Sequence, residues 1–130
     1  MKLLLVTILL AGLPFATAAQ ASSPAAPAAE NLYAVEITIG PAWDKAKSPN
    51  EQAHFREHSA NLKRLREQGS LVLGARYSDK GFVVLKASSE QDARAMMLQD
   101  PSVQSGVFKF ELHEFNVFYP GAVPSKPRTP

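Results

Sequence analysis

SPNEQAHFREHSANLKRLREQG, residues 48–69, is the stretch on which the reading of the whole chain turns. Its opening is a helix start: Ser48 as N-cap, Pro49 in the first helical position and Glu51 three residues after the cap make a capping box. Gly69 stands where a helix of this length closes. At 100° per residue, Phe55, His58, Leu62 and Leu65 fall within an arc of roughly 80°, the width of a core-facing stripe. A histidine thus lies among the hydrophobes, aimed at the interior or at a cleft above it. Imidazole is the side chain that changes charge near neutral pH.

The flanks give this helix something to cover. Leu32–Ile39 alternates, with Tyr33, Val35, Ile37 and Ile39 on one face and Ala34, Glu36 and Thr38 on the other, as a half-buried strand does. Gly40-Pro41 ends it, and a loop with the only tryptophan, Trp43, leads to Ser48. After Gly69, Leu71–Tyr77 and Phe82–Ala87 read as strands joined by Ser78-Asp79-Lys80-Gly81 in a hairpin. Ser88 with Gln91 offers a second capping box for a helix running to about Gln99, with Ala93, Met96 and Met97 inward. Asp100-Pro101 stops that helix, because the residue before proline is pushed out of the α region. The turn Ser102–Gly106 then leads to a long last strand, Val107–Tyr119. Its inward parity switches between Phe108, Phe110, Leu112 and Phe115, Val117, Tyr119, which predicts a bulge or a strand covered on both faces.

The order is β-α-β-β-α-β, the split βαβ arrangement of an α+β domain, with both helices on one face of a four-stranded antiparallel sheet. The other face carries aromatic residues and needs a cover, for which a second copy of the chain is the simplest source.

The chain has 130 residues, enough for one domain. Residues 1–21 read as a cleavable export signal: Lys2, the apolar run Leu3–Leu10, a Gly12-Leu13-Pro14 breaker and the small-x-small site Ala19-Gln20-Ala21. The apolar run is too short to span a bilayer. The expected location is therefore periplasmic or secreted. Residues 22–31 form a Pro/Ala-punctuated disordered linker, residues 32–119 the folded domain, and residues 120–130, with four prolines, a disordered tail. There is no cysteine, so the fold stands without disulfides. The formal charge is +2, or +1 without Lys2, too near neutral to argue for nucleic acid or an acidic membrane surface as partner. Arg56, Lys63, Arg64 and Arg66 are interleaved with Glu57 and Glu67, the pattern of a solvated helix face.

Several residues could carry chemistry. His54-Phe55-Arg56-Glu57-His58 spells H-x-x-E-H, the inverted zinc-protease pattern. A zinc site needs a third protein ligand, however, and Glu57 points away from the apolar arc, so no metal is assigned. His58 reads either as a general base or acid or as a core histidine satisfied by a backbone carbonyl, and periodicity does not choose between them. Asp100 is the acidic candidate. It also reads as an ordinary cap for the turn that follows Pro101, and the two roles are compatible because a cap uses one oxygen and leaves the other free. His113 and Glu111 share a strand face as a surface pair. Trp43 is either a flap over a cleft or a plug at the core edge. No nucleophile motif, phosphate-cradling loop or dinucleotide fingerprint occurs, so no cofactor is assigned.

His58 with Leu62, Leu65 and Gly69, followed by Asp100-Pro101 and Gly106-Val107, resembles the YCII-related (YciI-like) family over about residues 32–119. That family has a helical histidine eleven residues before a glycine and a D-P-x-x-x-x-G-V segment before its last strand. Two details depart from it: Phe55-Arg56-Glu57 replaces the arginine or proline often found before the histidine, and the Gly69–Gly74 spacing is a residue short. The resemblance implies a ferredoxin-like fold that pairs into a dimeric α/β barrel, with a cleft centred on His58 and Asp100. It further implies a cofactor-free enzyme of lyase or isomerase type acting on a small, cyclic organic compound. The alternative is a non-catalytic module of the same fold that holds a small molecule or acts as a scaffold. Oxygen chemistry without a cofactor, seen on related barrels, is a third reading resting on fold analogy.

Overall fold

The structure is a computed structural model and describes residues 30–126. The expected export signal, most of the linker and the last four residues lie outside the described residues. Four strands, β1 (Asn31–Ile39), β2 (Leu71–Tyr77), β3 (Lys80–Ala87) and β4 (Phe108–Glu114), form one sheet in the order β2-β3-β1-β4. Every neighbouring pair is antiparallel. Helices α1 (Phe55–Glu67), α2 (Glu90–Leu98) and the short α3 (Pro101–Gln104) complete the ferredoxin-like α+β arrangement.

Register follows from the alternation of β1. Val35 stands opposite Val83 on one side and Leu112 on the other, so the three side chains share a face. Tyr33, Val35 and Ile37 of β1, Val83 and Leu85 of β3 and Leu112 of β4 meet Leu65 of α1 and Ala93 and Met97 of α2 in one core. Leu85, Val35, Met97 and Ala93 are wholly excluded from solvent, and each of the three larger side chains contributes about 1.5–3 kcal/mol by burial. The opposite face presents Ala34, Glu36 and Thr38 of β1 beside Phe82 and Val84 of β3 and Leu73, Ala75 and Tyr77 of β2.

The structure differs from the sequence reading at four places. The Ser48–Glu51 capping box closes only a 3-10 turn, Pro49–Glu51, in which the Glu51 carboxylate accepts from the Ser48 N–H (3.0 Å) and hydroxyl (2.7 Å). Gln52 then leaves in an extended conformation because its buried amide stitches the loop before it. It accepts from Asp44 N–H (2.9 Å) and donates to the carbonyls of Asp44 (2.7 Å) and Lys47 (3.1 Å). The chain re-enters through His54 in the left-handed region (φ 59°), and α1 starts at Phe55. Its end is as expected: Ser70 N–H reaches Leu65 carbonyl and Gly69 N–H reaches Arg66 carbonyl, the Schellman pattern, with Gly69 at φ 78°.

The second cap is Ser89 rather than Ser88, its hydroxyl accepting from Asp92 N–H at 3.1 Å. The hairpin turn is the two residues Ser78-Asp79, with Lys80 already paired to Tyr77. Finally, β4 stops at Glu114, and Phe115 makes one last bond from its N–H to Leu32 carbonyl. The change of parity after Leu112 is thus the end of the strand; the irregularity in the sheet falls instead between Leu71 and Leu73 of β2. Phe115 crosses to the open face and packs edge-on to Phe82, their ring centroids 6.2 Å apart.

One close approach sets the loop that carries Trp43. A Cβ on Gly40 would lie 2.1 Å from Gly106 carbonyl oxygen, so only glycine lets these segments touch. Gly40 N–H bonds Val107 carbonyl (2.8 Å) and Ala42 N–H bonds Gly106 carbonyl (3.0 Å), tying the loop to the root of β4.

Candidate functional site

The site begins with Asp100, the residue that ends α2. Pro101 forces it into extended backbone, from which its carboxylate turns back to cap α3. Oδ1 accepts from Ser102 N–H (3.0 Å) and Ser102 hydroxyl (2.7 Å). Oδ2 faces α1, where His58 Nδ1 lies at 2.7 Å and Asn61 Nδ2 donates at 3.3 Å. His58 and Asn61 are three residues apart on a helix and so share the face that meets this carboxylate. Behind Asn61, Arg64 holds the amide oxygen at 2.6 Å, which fixes which end of the amide faces Asp100.

Asp100 is completely buried and the His58 side chain is 11 % exposed. Burial is the largest single influence on the carboxyl group and by itself raises its pKa. The hydrogen bonds from His58 and Ser102 outweigh it, and the group is held below the ordinary carboxylate value. Asp100 is therefore an anion at neutral pH and can only accept. His58 Nδ1 must carry the proton, which leaves Nε2 with its lone pair when the ring is neutral. Among the described residues Nε2 has no partner, yet none of their buried side-chain nitrogens or oxygens lacks one. That nitrogen therefore reaches solvent. Around the ring, Phe108 lies at 4.8 Å and Phe55 at 6.5 Å between centroids.

His58 opens on a cleft of about 730 Å³ between α1 and the β2–β3 hairpin. Ile37, Ile39 and Val83 form its apolar floor beside Gly74 and Gly81, and Trp43 and Phe108 form a wall with ring centroids 5.5 Å apart. Arg76, Ser78 and Asp79 stand at the hairpin side. A cleft of this size, mostly apolar with a few polar groups, suits a small organic molecule.

Of the residues singled out from sequence, His58 and Asp100 are brought together across 42 positions of chain, and Asp100 caps and binds the histidine at once. Trp43 is half-buried and lines the cleft. His54 is separated from this group: it precedes the helix on left-handed backbone, and its Nδ1 lies 3.8 Å from Glu57 at the surface. His113 and Glu111 lie 3.9 Å apart on the open sheet face, as neighbours along one strand. The cross-strand partner of Glu111 is Glu36. Asn61, Arg64, Ser102 and Arg76 are the functional candidates that sequence reasoning missed. Asn61 had a legible signal, since it stands three residues from His58 and four before Leu65 on the inward side.

These features define a ferredoxin-like α+β domain with a buried histidine–carboxylate pair at the edge of a small-molecule cleft. The YCII-related domain family model matches residues 29–116, and the chain belongs to that family. Among solved structures it is similar to muconolactone isomerase, with a TM-score of 0.53 and 16 % identity over 75 % of this chain and 99 % of that one. That likeness shows a shared α+β fold. No curated protein sequence matches the chain.

Proposed function

We propose that the protein is an isomerase- or lyase-type enzyme that moves a proton on a small cyclic organic compound, with His58 as the base. His58 Nε2 takes a proton from a carbon next to a carbonyl, and the C–H electron pair passes into the carbonyl to give an enolate. The imidazolium so formed is stabilised by Asp100, a positioning residue that keeps Nε2 unprotonated and aimed outward. Return of the proton at another carbon completes an isomerisation; expulsion of a leaving group completes an elimination. The chemistry requires only the side chains already in place. One positioned base contributes about 10²–10⁴ in rate.

The observation that carries this reading is the 2.7 Å bond between His58 Nδ1 and a carboxylate with no exposure, which leaves the other ring nitrogen to the cleft. The fold shared with muconolactone isomerase, a protein whose name describes such a rearrangement, supports the reaction class. In the same proposal the chain is exported by its first twenty-one residues. It also pairs with a second copy through the open sheet face, where Leu73, Ala75, Phe82 and Phe115 surround a Glu36–Lys80–Tyr77 cluster.

The test is proton exchange. Lactones and cyclic ketones incubated with the protein in deuterium oxide exchange a carbon-bound proton, followed by NMR, and His58→Gln slows this by two to four orders of magnitude. Exchange that survives His58→Gln unchanged removes the base from the mechanism. Binding of the same compounds with no exchange in the wild type makes the protein a binding module. Sedimentation at micromolar concentration tests pairing, and a mass of one chain refutes it.

A further inference from the structure

Arg76 stands on the wrong side of its strand. In β2 the residues facing the helices are Leu71, opposite Leu85, and Gly74, opposite Val83; Arg76, opposite Gly81, continues that row. Arg76 is exposed, at the edge strand of the sheet, where a surface ion pair would be ordinary. Yet among the described residues no carboxylate lies within 4.0 Å of it and no side chain or backbone group bonds it, whereas Arg94 meets Glu90 at 2.9 Å and Lys80 meets Glu36 at 2.7 Å. What lies beside Arg76 is the cleft. Its floor is bare at the adjacent inward positions because both are glycine. A Cβ at Gly81 would touch Ile37 Cβ at 3.4 Å, and one at Gly74 would meet only Leu71, at 3.7 Å.

We propose that Arg76 is the anion-recognition residue of this cleft, and that the compound the cleft takes is a small organic carboxylate whose apolar body lies on the glycine floor between Arg76 and His58. A guanidinium fork matches a carboxylate with two parallel hydrogen bonds. The rest of the lining argues for a single negative charge. Among the described residues Arg76 is the only lysine or arginine in it, and Asp79 at the hairpin tip bears a negative charge of its own. A phosphate dianion meets too little positive charge there. Ile37, Ile39, Val83, Phe108 and Trp43 supply apolar surface for a flat ring. The inference rests on the reading of this cleft as the substrate site and adds the class of substrate.

Trp43 is the only tryptophan of the chain and lines the cleft, so its fluorescence reports occupancy. The probes are benzoate, its uncharged isostere benzamide, and phenylphosphonate. Wild-type protein is expected to bind benzoate at least tenfold more tightly than benzamide, the scale of a charged hydrogen bond. Arg76→Gln abolishes that preference while leaving benzamide affinity and the melting temperature unchanged, and Arg76→Lys restores part of it. Asp79→Asn, which removes the opposing charge, tightens benzoate a few-fold. Equal affinity of the wild type for benzoate and benzamide overturns the proposal, as does a benzoate preference that survives Arg76→Gln. Phenylphosphonate binding more tightly than benzoate overturns the assignment of a monoanion. His58→Gln separates this inference from the proton-transfer reading. If it abolishes exchange yet keeps the benzoate preference, both stand. If the wild type shows no exchange while Arg76→Gln still loses the preference, the cleft recognises carboxylates without transforming them. If His58→Gln removes the preference and Arg76→Gln does not, the anion sits on the imidazole and Arg76 has no part in it.

Discussion

His58–Asp100 and His113–Glu111 are built from the same two kinds of side chain and lie on opposite sides of one sheet. The first pair is 2.7 Å apart with exposures of 11 % and 0 %; the second is 3.9 Å apart with exposures of 75 % and 79 %. On the open face water screens the charges and neither partner is held by anything else. Under α1 the carboxylate takes two bonds from Ser102, one from Asn61 and one from His58, and burial makes each matter. What separates a candidate catalytic pair from a decorative one is the number of other groups that fix the carboxylate.

Deleting each histidine in turn should have very different effects on stability. His58→Ala is expected to lower unfolding free energy by about 3 kcal/mol, the low end for uncovering a buried charge, because Asn61 and Ser102 still donate to Asp100. His113→Ala changes it by about 0.5 kcal/mol or less. Urea denaturation followed by circular dichroism reads both, and similar losses in the two variants dissolve the distinction.

Acid sharpens it. Asp100 has a pKa lowered on folding, so its stabilising contribution is complete above the ordinary carboxylate range and is lost as pH falls through the depressed folded value. The urea midpoint of the wild type should therefore fall below about pH 4. The midpoint of Asp100→Asn should fall less steeply over the same interval. Parallel curves for the two proteins would deny Asp100 this role. Asn61→Ala is the smaller perturbation, expected to cost about 1 kcal/mol by removing one hydrogen bond to the carboxylate. It should also move the pH dependence of proton exchange, which a merely structural loss leaves in place. The same denaturation and exchange measurements check it.

Much of the architecture was legible because it depends on periodicity. The alternation in Leu32–Ile39 and the apolar arc of Phe55, His58, Leu62 and Leu65 gave the sheet face and the helix that covers it. The helix start was misread because a capping box is a local signal, and it cannot report that Gln52, buried among backbone groups of residues 44–47, pulls the chain out of helix before Phe55. The last strand was read too long for a similar reason: hydrophobic residues continue to Tyr119, but bonding to β1 ends with the Phe115 N–H. In the site, His58 and Asp100 were visible as an oddly placed imidazole and a pre-proline acid. Their meeting depends on the packing of α1 against α3, which no local pattern states. Arg76 stayed hidden because the irregularity between Leu71 and Leu73 resets the parity of β2, so counting alternate residues from Leu71 reaches Tyr77 and passes Arg76 by.

The dual use of Asp100 has a consequence for how the pocket comes to order. The oxygen that stops α3 from fraying and the oxygen that steadies the imidazole belong to one rigid group. Once the backbone corner at Pro101 has formed, the carboxylate has no rotamer left to choose, so the entropy of arranging it is spent during folding and none is owed when a ligand arrives. Amide protons at Ser102 and along the first turns of α1 should accordingly exchange with solvent as one cooperative unit.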